Sequence, residues 1–245
     1  MNPITAYRGS INLYYQIETD SALGTFGPVQ LFGNMTSFEL TPSAETVDVT
    51  STMNSDYGQN ADSMTEPGST TIPATADRHN LSTMALQLLG DAVDDIAAES
   101  TVAAQDLGTV AAGEIVNLGA LGVSDVVIKD SGTAIDTDLY SVIEPALGLV
   151  EISTAGTYTA DYTIDAKSGS KITGGTSPGK FVRLLGRGVN QFDNKEKLVK
   201  VARASVATAS GFSLVGTDNA EVAVTFTAIL PSDGSAAFEV YETGN

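Results

Sequence analysis

One histidine, no cysteine and thirty carboxylates leave this 245-residue chain little from which to build a reaction centre. His79, next to Arg78, is a lone imidazole with no partner for a catalytic triad or a multi-histidine metal site, so its expected use is at the surface or as a cap. Gly174-Gly175-Thr176-Ser177-Pro178-Gly179-Lys180 comes close to a phosphate loop, in which backbone N–H groups cradle phosphate and a Ser or Thr after the lysine ligates Mg²⁺. Phe181 stands at that last position and no strand-then-helix pattern flanks the run. Gly186-Arg187-Gly188 lacks the third glycine and the helix of a dinucleotide fingerprint. Asp91, Asp94 and Asp95, or Asp136 and Asp138, could hold calcium weakly. Neither set has a distal glutamate at dedicated-loop spacing, and solvated acidic turns are expected there. Without cysteine there is no thiol nucleophile and no Cys-ligated metal. With no tryptophan and no defensible acid pair, glycoside chemistry has no foothold either. The expectation is a non-enzyme with no cofactor and no metal.

The elements that would position these groups are mostly strands. Phe181–Leu185 is an apolar strand, followed by a glycine turn through Gly186 and Gly188 and a charged turn at residues 193–197. Leu198–Val206 then alternates, with Val199 and Val201 opposite Leu198 and Lys200. Phe212-Ser213-Leu214 and Thr217-Asp218-Asn219 lead to a last strand over 220–230, where Val222, Val224, Phe226 and Ala228 share a side. Period-two alternation with β-branched residues between turn signals predicts half-buried antiparallel strands. Upstream, 5–17 reads as a strand with Ile11, Leu13, Tyr15 and Ile17 on one face, and 29–40 as a second. Thr41–Ser69 is long, polar and structureless in pattern, a length that in a compact domain marks a functional or disordered loop. Residues 77–90 form the one convincing helix: Leu81, Met84, Ala85, Leu88 and Leu89 make an apolar stripe, Asp77 or Asn80 can cap it, and Gly90 suits a left-handed stop. After an acidic link at 91–99, residues 114–118, 125–129, 139–143, 149–152 and 158–164 read as five short strands of a small sandwich or half-barrel. Lys167–Lys180 reads as the return linker.

Charge divides the chain. The net value is −18, but residues 1–166 hold three basic against 23 acidic side chains, while 167–245 hold nine against seven. Phosphate contacts need Lys and Arg, so DNA binding by the whole chain is disfavoured, whereas a conduit that lets DNA slide past would want this sign. No apolar run is long enough for a signal peptide or a membrane span, so cytosolic assembly is expected.

The C-terminal pattern resembles that of phage tail tube proteins, the major tail proteins of long-tailed, siphovirus-like phages. It consists of a strand, an Asn-containing turn, Lys-rich sequence running into a long alternating strand, a Gly-Thr-Asp-x-Ala turn and a final strand ending in Leu230-Pro231. Gly33-Asn34 followed by Ser37-Phe38-Glu39-Leu40 is similar to that family's second strand, and the helix ending in Leu88-Leu89-Gly90 sits at the matching place. The 149–164 run resembles a module inserted on the outside of such tubes. The resemblance implies a mainly β fold: a tail-tube β-sandwich or barrel with one flanking α-helix, plus a small inserted all-β, Ig-like domain. Its implied parts are 1–98 and 167–245 for the tube domain and 99–166 for the insertion.

The implied function is that of a structural virion protein, assembled in the host cytoplasm and resident in the tail. Its copies would form homo-hexameric rings that stack into a tube, meet tape measure, terminator and distal tail proteins, and pass double-stranded DNA without holding it or any membrane. A non-contractile tail is expected. The 41–69 loop would reach the neighbouring ring. Glu45, Asp48, Asp56, Tyr57, Asp62 and Glu66 on that loop, and the basic set Lys180, Arg183, Arg187, Lys195, Lys197, Lys200 and Arg203, are then the expected contacts between subunits and rings. Glu39, Glu45 and Glu221 are the expected lumen-facing acids. The rival is a bacterial surface or pilus-like β-sandwich adhesion protein, which would need an export signal or sorting tail.

Overall fold

The computed structural model describes residues 8–20, 24–213, 215, 219–231 and 235–243. The expected strand start at Thr5 and the turn residues Leu214, Thr217 and Asp218 lie outside the described residues. In chain order the elements are β1 (Gly9–Asp20), β2 (Thr25–Phe26), β3 (Gln30–Leu31), β4 (Asn34–Phe38), β5 (Thr41–Thr50), β6 (Asn60–Arg78) and α1 (Leu81–Gln87). Then come β7 (Asp91–Ala97), β8 (Ser100–Val110), β9 (Glu114–Asn117), β10 (Val123–Asp130), β11 (Thr133–Ala134), β12 (Tyr140–Glu144), β13 (Leu149–Ile152), β14 (Gly156–Ile164) and β15 (Lys167–Thr173). The chain closes with β16 (Phe181–Asn190), β17 (Glu196–Thr208), β18 (Val222–Ala228) and β19 (Phe238–Thr243). The fold is mainly β with a single α-helix among the described residues. Packing divides it into two units, Met1–Ala92 with Ile172–Asn245, and Val93–Lys171.

The first unit is one sheet in the order β2-β1-β16-β17-β18-β6-β4, with β3 added to β1, β5 to β6 and β19 to β17. Leu13, Tyr15, Ile72, Ala74, Ala76, Val182, Leu184, Val201, Val222, Val224 and Phe226 all face one core. Phe32, in the break between β3 and β4, is fully buried and stacks edge-on between Tyr15 and Phe226, at 6.1 and 6.0 Å. Each such side chain contributes about 1.5–3 kcal/mol by leaving water. The expected single strand over 29–40 is therefore two, split because Phe32 turns inward and the chain switches partners from β1 to β6.

Three further expectations are corrected here. Gly186 and Gly188 are not a turn: β16 runs straight through them, paired with β1 and β17 on either side, and Gly186 is needed there because a Cβ would lie 2.9 Å from Ile11 Cδ1 and 3.4 Å from Val199 Cβ. A strand glycine here permits close packing. In β17, Val182 pairs with Ala204 but Leu184 with Val201, so a bulge at Ala202–Arg203 resets the faces and lets Val201, Ala204 and Val206 all point inward. The helix is shorter than expected, because residues 77–78 finish β6 and Asn80 is the cap, its side chain accepting from Thr83 N at 2.8 Å. It buries Thr83, Ala85, Leu86 and Gln87; of the predicted stripe Ala85 is buried and Met84 packs against the core, but Leu88 is exposed. Two turns of helix covered from two sides have no single buried stripe: Leu86 enters the sheet core, while Gln87 meets Thr208 and Ser210.

The stop is also different. Leu89, at φ +48°, takes the left-handed conformation, and Gly90 serves for close approach, since a Cβ there would lie 2.2 Å from the Thr173 carbonyl oxygen. The Gly174–Lys180 turn caps the helix end: Gly175 N–H donates to Leu88 O and Ser177 N–H to Leu89 O, both at 2.9 Å. These amides face carbonyls, which is why the run is no phosphate cradle.

The second unit has a four-stranded sheet, β11-β10-β14-β8, and a three-stranded sheet, β12-β13-β9. They share one core containing Val110, Leu118, Ile128, Val150, Ile152, Tyr158 and Tyr162. The five expected strands correspond to β9, β10, β12, β13 and β14, and β8 is an addition. Its alternation is broken by Ala104 and Gly108 at positive φ, where its pairing with β14 slips. The expected acidic link and return linker are instead β7 and β15, which pair with each other. The division therefore falls at 92/93 and 171/172, inside those strands, where 98/99 and 166/167 were expected.

Candidate assembly surfaces

The 41–69 segment is not a loop. It is a hairpin arm, β5 against the first half of β6, paired from Thr41–Thr71 to Thr50–Asn60 with register shifts between Pro42 and Ala44 and between Val49 and Thr50. β-branched Thr46, Val47, Val49 and Thr50 favour the extended backbone. Every residue of β5 is exposed, as is β6 from Asn60 to Ser69. At the tip, Ser51 N–H donates to Gln59 O at 2.7 Å and Gly58 N–H to Ser51 O at 3.0 Å. One arm face carries cross-strand pairs Glu45–Glu66, Val47–Met64 and Val49–Asp62; Asp48 pairs with Ser63 on the other. Val47, Val49, Met64 and, at the tip, Met53 and Tyr57 are all exposed, Tyr57 at 78%. Glu45 opposite Glu66 sets like charges face to face, which costs stability in an isolated hairpin. Among the described residues, no salt bridge includes Glu45, Asp48, Asp56, Asp62 or Glu66.

The basic residues are divided among three places, each already supplied with acids of the same chain. Lys180 donates to Gly90 O and to Asp91 at 2.7 Å; together with Ser177 it holds the Asp91 carboxyl below its ordinary range. Arg203 forks onto Glu18, whose side chain is only 5% exposed, and lies 3.8 Å over the Phe181 ring. Arg183 stacks 4.1 Å over Phe26. The third place gathers Arg187 with Glu196, Lys195 and Lys197 with Glu242 at 3.3 and 3.9 Å, and Lys200 with Glu239 at 3.8 Å. Arg187 holds the Glu196 carboxyl low. Sequence reasoning missed β19, whose Glu239 and Glu242 supply these partners. The signal was there in Phe-Glu-Val-Tyr-Glu-Thr, but nothing local says that it joins the first half of β17 while β18 joins the second.

Glu39, Glu45 and Glu221 are exposed but do not meet. Glu45 lies across from Glu66, Glu39 donates its amide to Pro73 O, and Glu221 precedes Val222, which pairs with Ala76. Ten residues of β6 separate the first and last sites, about 34 Å of strand.

Two more features belong to this surface. Among the described residues, β5, β4 and β19 each have a ladder partner on one side only, and a cleft of about 340 Å³ separates Gly9–Ile11 of β1 from Met35–Glu39. On the face of β1, β16, β17 and β19 away from the core, Tyr14, Leu185, Leu198 and Tyr241 line a groove of about 310 Å³, with Arg187 and Lys200 beside them.

His79 packs edge-on to Phe212 at 5.9 Å, and burial lowers its pKa. Asp136 accepts from Asp138 N–H, Asp95 pairs with Lys171, and no group of three metal-ligating side chains occurs among the described residues. No helix described is long and apolar enough to cross a membrane. Residues 15–237 match the model of a family described as "Protein of unknown function UCP028589". No curated protein matches the chain.

Proposed function

The chain belongs to that family, and we propose that it is a structural virion protein, the tail tube subunit of a long-tailed phage. Its copies close into hexameric rings, and the rings stack around a lumen that delivers DNA to the host. The observation that carries the reading is the arm. A lone two-stranded hairpin is marginal in water, yet this one projects Val47, Val49, Met64, Met53 and Tyr57 with no described residue of its own subunit covering them. Such an element makes sense where a second copy supplies the cover. The one-sided strands β4, β5 and β19 point the same way, since unpaired edges are removed by symmetry mates in closed rings. The excess of carboxylates suits passage of a polyanion, and the protein has no catalytic role in this reading.

Electron microscopy of the purified protein at rising concentration tests this. Rings or tubes with sixfold symmetry are the expected result. A protein that stays monomeric at every concentration overturns the proposal and returns weight to the adhesion-protein reading.

A further inference from the structure

We infer that the arm of one copy lies face-down in the Tyr14–Leu185–Leu198–Tyr241 groove of another, as a second β-layer on that sheet. The inference rests on the arm's reaching a second copy and adds where it lands. Ladder registers lay out the receiving face. One row runs Leu31, Tyr14, Leu185, Lys200 and Glu239; the next runs Asn12, Arg187, Leu198 and Tyr241. Leu31, Tyr14 and Tyr241 are 46%, 36% and 50% exposed, so the sheet carries an apolar strip across strands on the side away from its own core.

The arm offers the complement. Residues 41–69 include five acids and no base, and the one face that carries Val47, Val49 and Met64 also carries Glu45, Glu66 and Asp62. Beside the groove, Arg187 and Lys200 are more than half exposed, and the Lys200–Glu239 pair at 3.8 Å is loose enough to share its cation. Spacing agrees as well. Glu45 to Val47, Glu66 to Met64, Arg187 to Leu185 and Lys200 to Leu198 are each two residues along a strand, so charge and apolar contact repeat at the same interval of about 7 Å. Face-to-face sheets pack about 10 Å apart, which leaves room for side chains of this size to interdigitate. Occupation would also relieve the Glu45–Glu66 repulsion, because each acid gains a cation.

The absence of cysteine makes the test direct. Two single variants of the full chain, Met64→Cys on the arm and Tyr241→Cys beside the groove, are mixed under mild oxidation, with Met64→Cys and Thr227→Cys as the off-groove control. A disulfide between copies in the first mixture, at least tenfold over the control, is expected. Loss of higher assemblies in Leu198→Asn, with an unchanged far-UV spectrum, is expected alongside. Rings or tubes without that cross-link, or equal cross-linking in both mixtures, overturn the docking and leave the tube reading standing. A specific cross-link in a closed dimer that never forms rings supports the docking and counts against the tube. No association of any kind overturns both.

Discussion

Gly90→Ala is the substitution whose cost the tertiary structure most directly determines. Gly90 does not have positive φ, so backbone freedom alone gives alanine no penalty. The obstacle is the neighbouring chain: a Cβ would sit 2.2 Å from Thr173 O and 2.8 Å from both Thr173 C and Gly174 Cα. Backbone atoms need roughly 3.4 Å, so the 173–177 turn must retreat by about 1.2 Å. That displacement strains or breaks Gly175 N–H to Leu88 O and Ser177 N–H to Leu89 O, together about 2 kcal/mol at 0.5–1.5 each. Overpacking adds about 1 kcal/mol or more. The expected loss is about 3 kcal/mol, or about 6–12 °C in the melting temperature of a unit this size. Thermal melts followed by circular dichroism measure the loss, and amide exchange at Gly175 and Ser177 localises it. Gly90→Asn separates the two explanations. Asparagine tolerates the left-handed region, so a stop that needed only that conformation would accept it, whereas a crowded site rejects it more strongly than alanine. An asparagine variant as stable as the wild type would refute the reasoning.

Phe226→Ala removes the ring that stacks on Phe32 and should cost about 3–5 kcal/mol, read as a fall in the urea midpoint at constant m. Arg203→Ala strands the nearly buried Glu18 carboxylate; a loss of about 3 kcal/mol is expected, and Arg203→Lys should not recover it because one ammonium cannot reproduce the fork. Burial pushes the Tyr15 phenol up to about 12, with Thr83 opposing. A raised folded value means that stability is intact below pH 10 and lost as pH climbs from 10 to 12, by about 3 kcal/mol; Tyr15→Phe should flatten that alkaline limb. Asp91 works in the opposite direction: its lowered pKa gives stability present above the ordinary carboxylate value of 3.8 and lost as pH falls below it, and Asp91→Asn should remove that acid limb.

Charge reversal at Lys195, Lys197 and Lys200 is a poor probe of assembly by itself. It would set acids against Glu239 and Glu242 and loosen β19 within the subunit. Lys200→Gln combined with Glu239→Gln removes the groove-side cation without creating that repulsion.

Alternation in the sequence was enough to identify the mainly β class, the inward faces of β1 and β18, and five strands of the second unit, because a half-buried strand writes its burial into every second residue. The charge division was equally legible, since it needs no coordinates. Other features depended on contacts that local pattern does not encode. Residues 41–69 looked like a loop because no face of the arm is buried in its own subunit, and the short Val47–Asp48–Val49 alternation is outweighed by the polar residues on both sides. The bulge at Ala202–Arg203 breaks the period that a reader would extend, and Gly186 looks like a turn until Ile11 is seen against it. Which cation meets which acid was decided only in three dimensions: Lys195, Lys197 and Lys200 find their partners on β19 some forty residues downstream, and Arg203 finds its partner at Glu18. Residue type sets what each side chain can do, but strand pairing across long sequence separations determines what it faces.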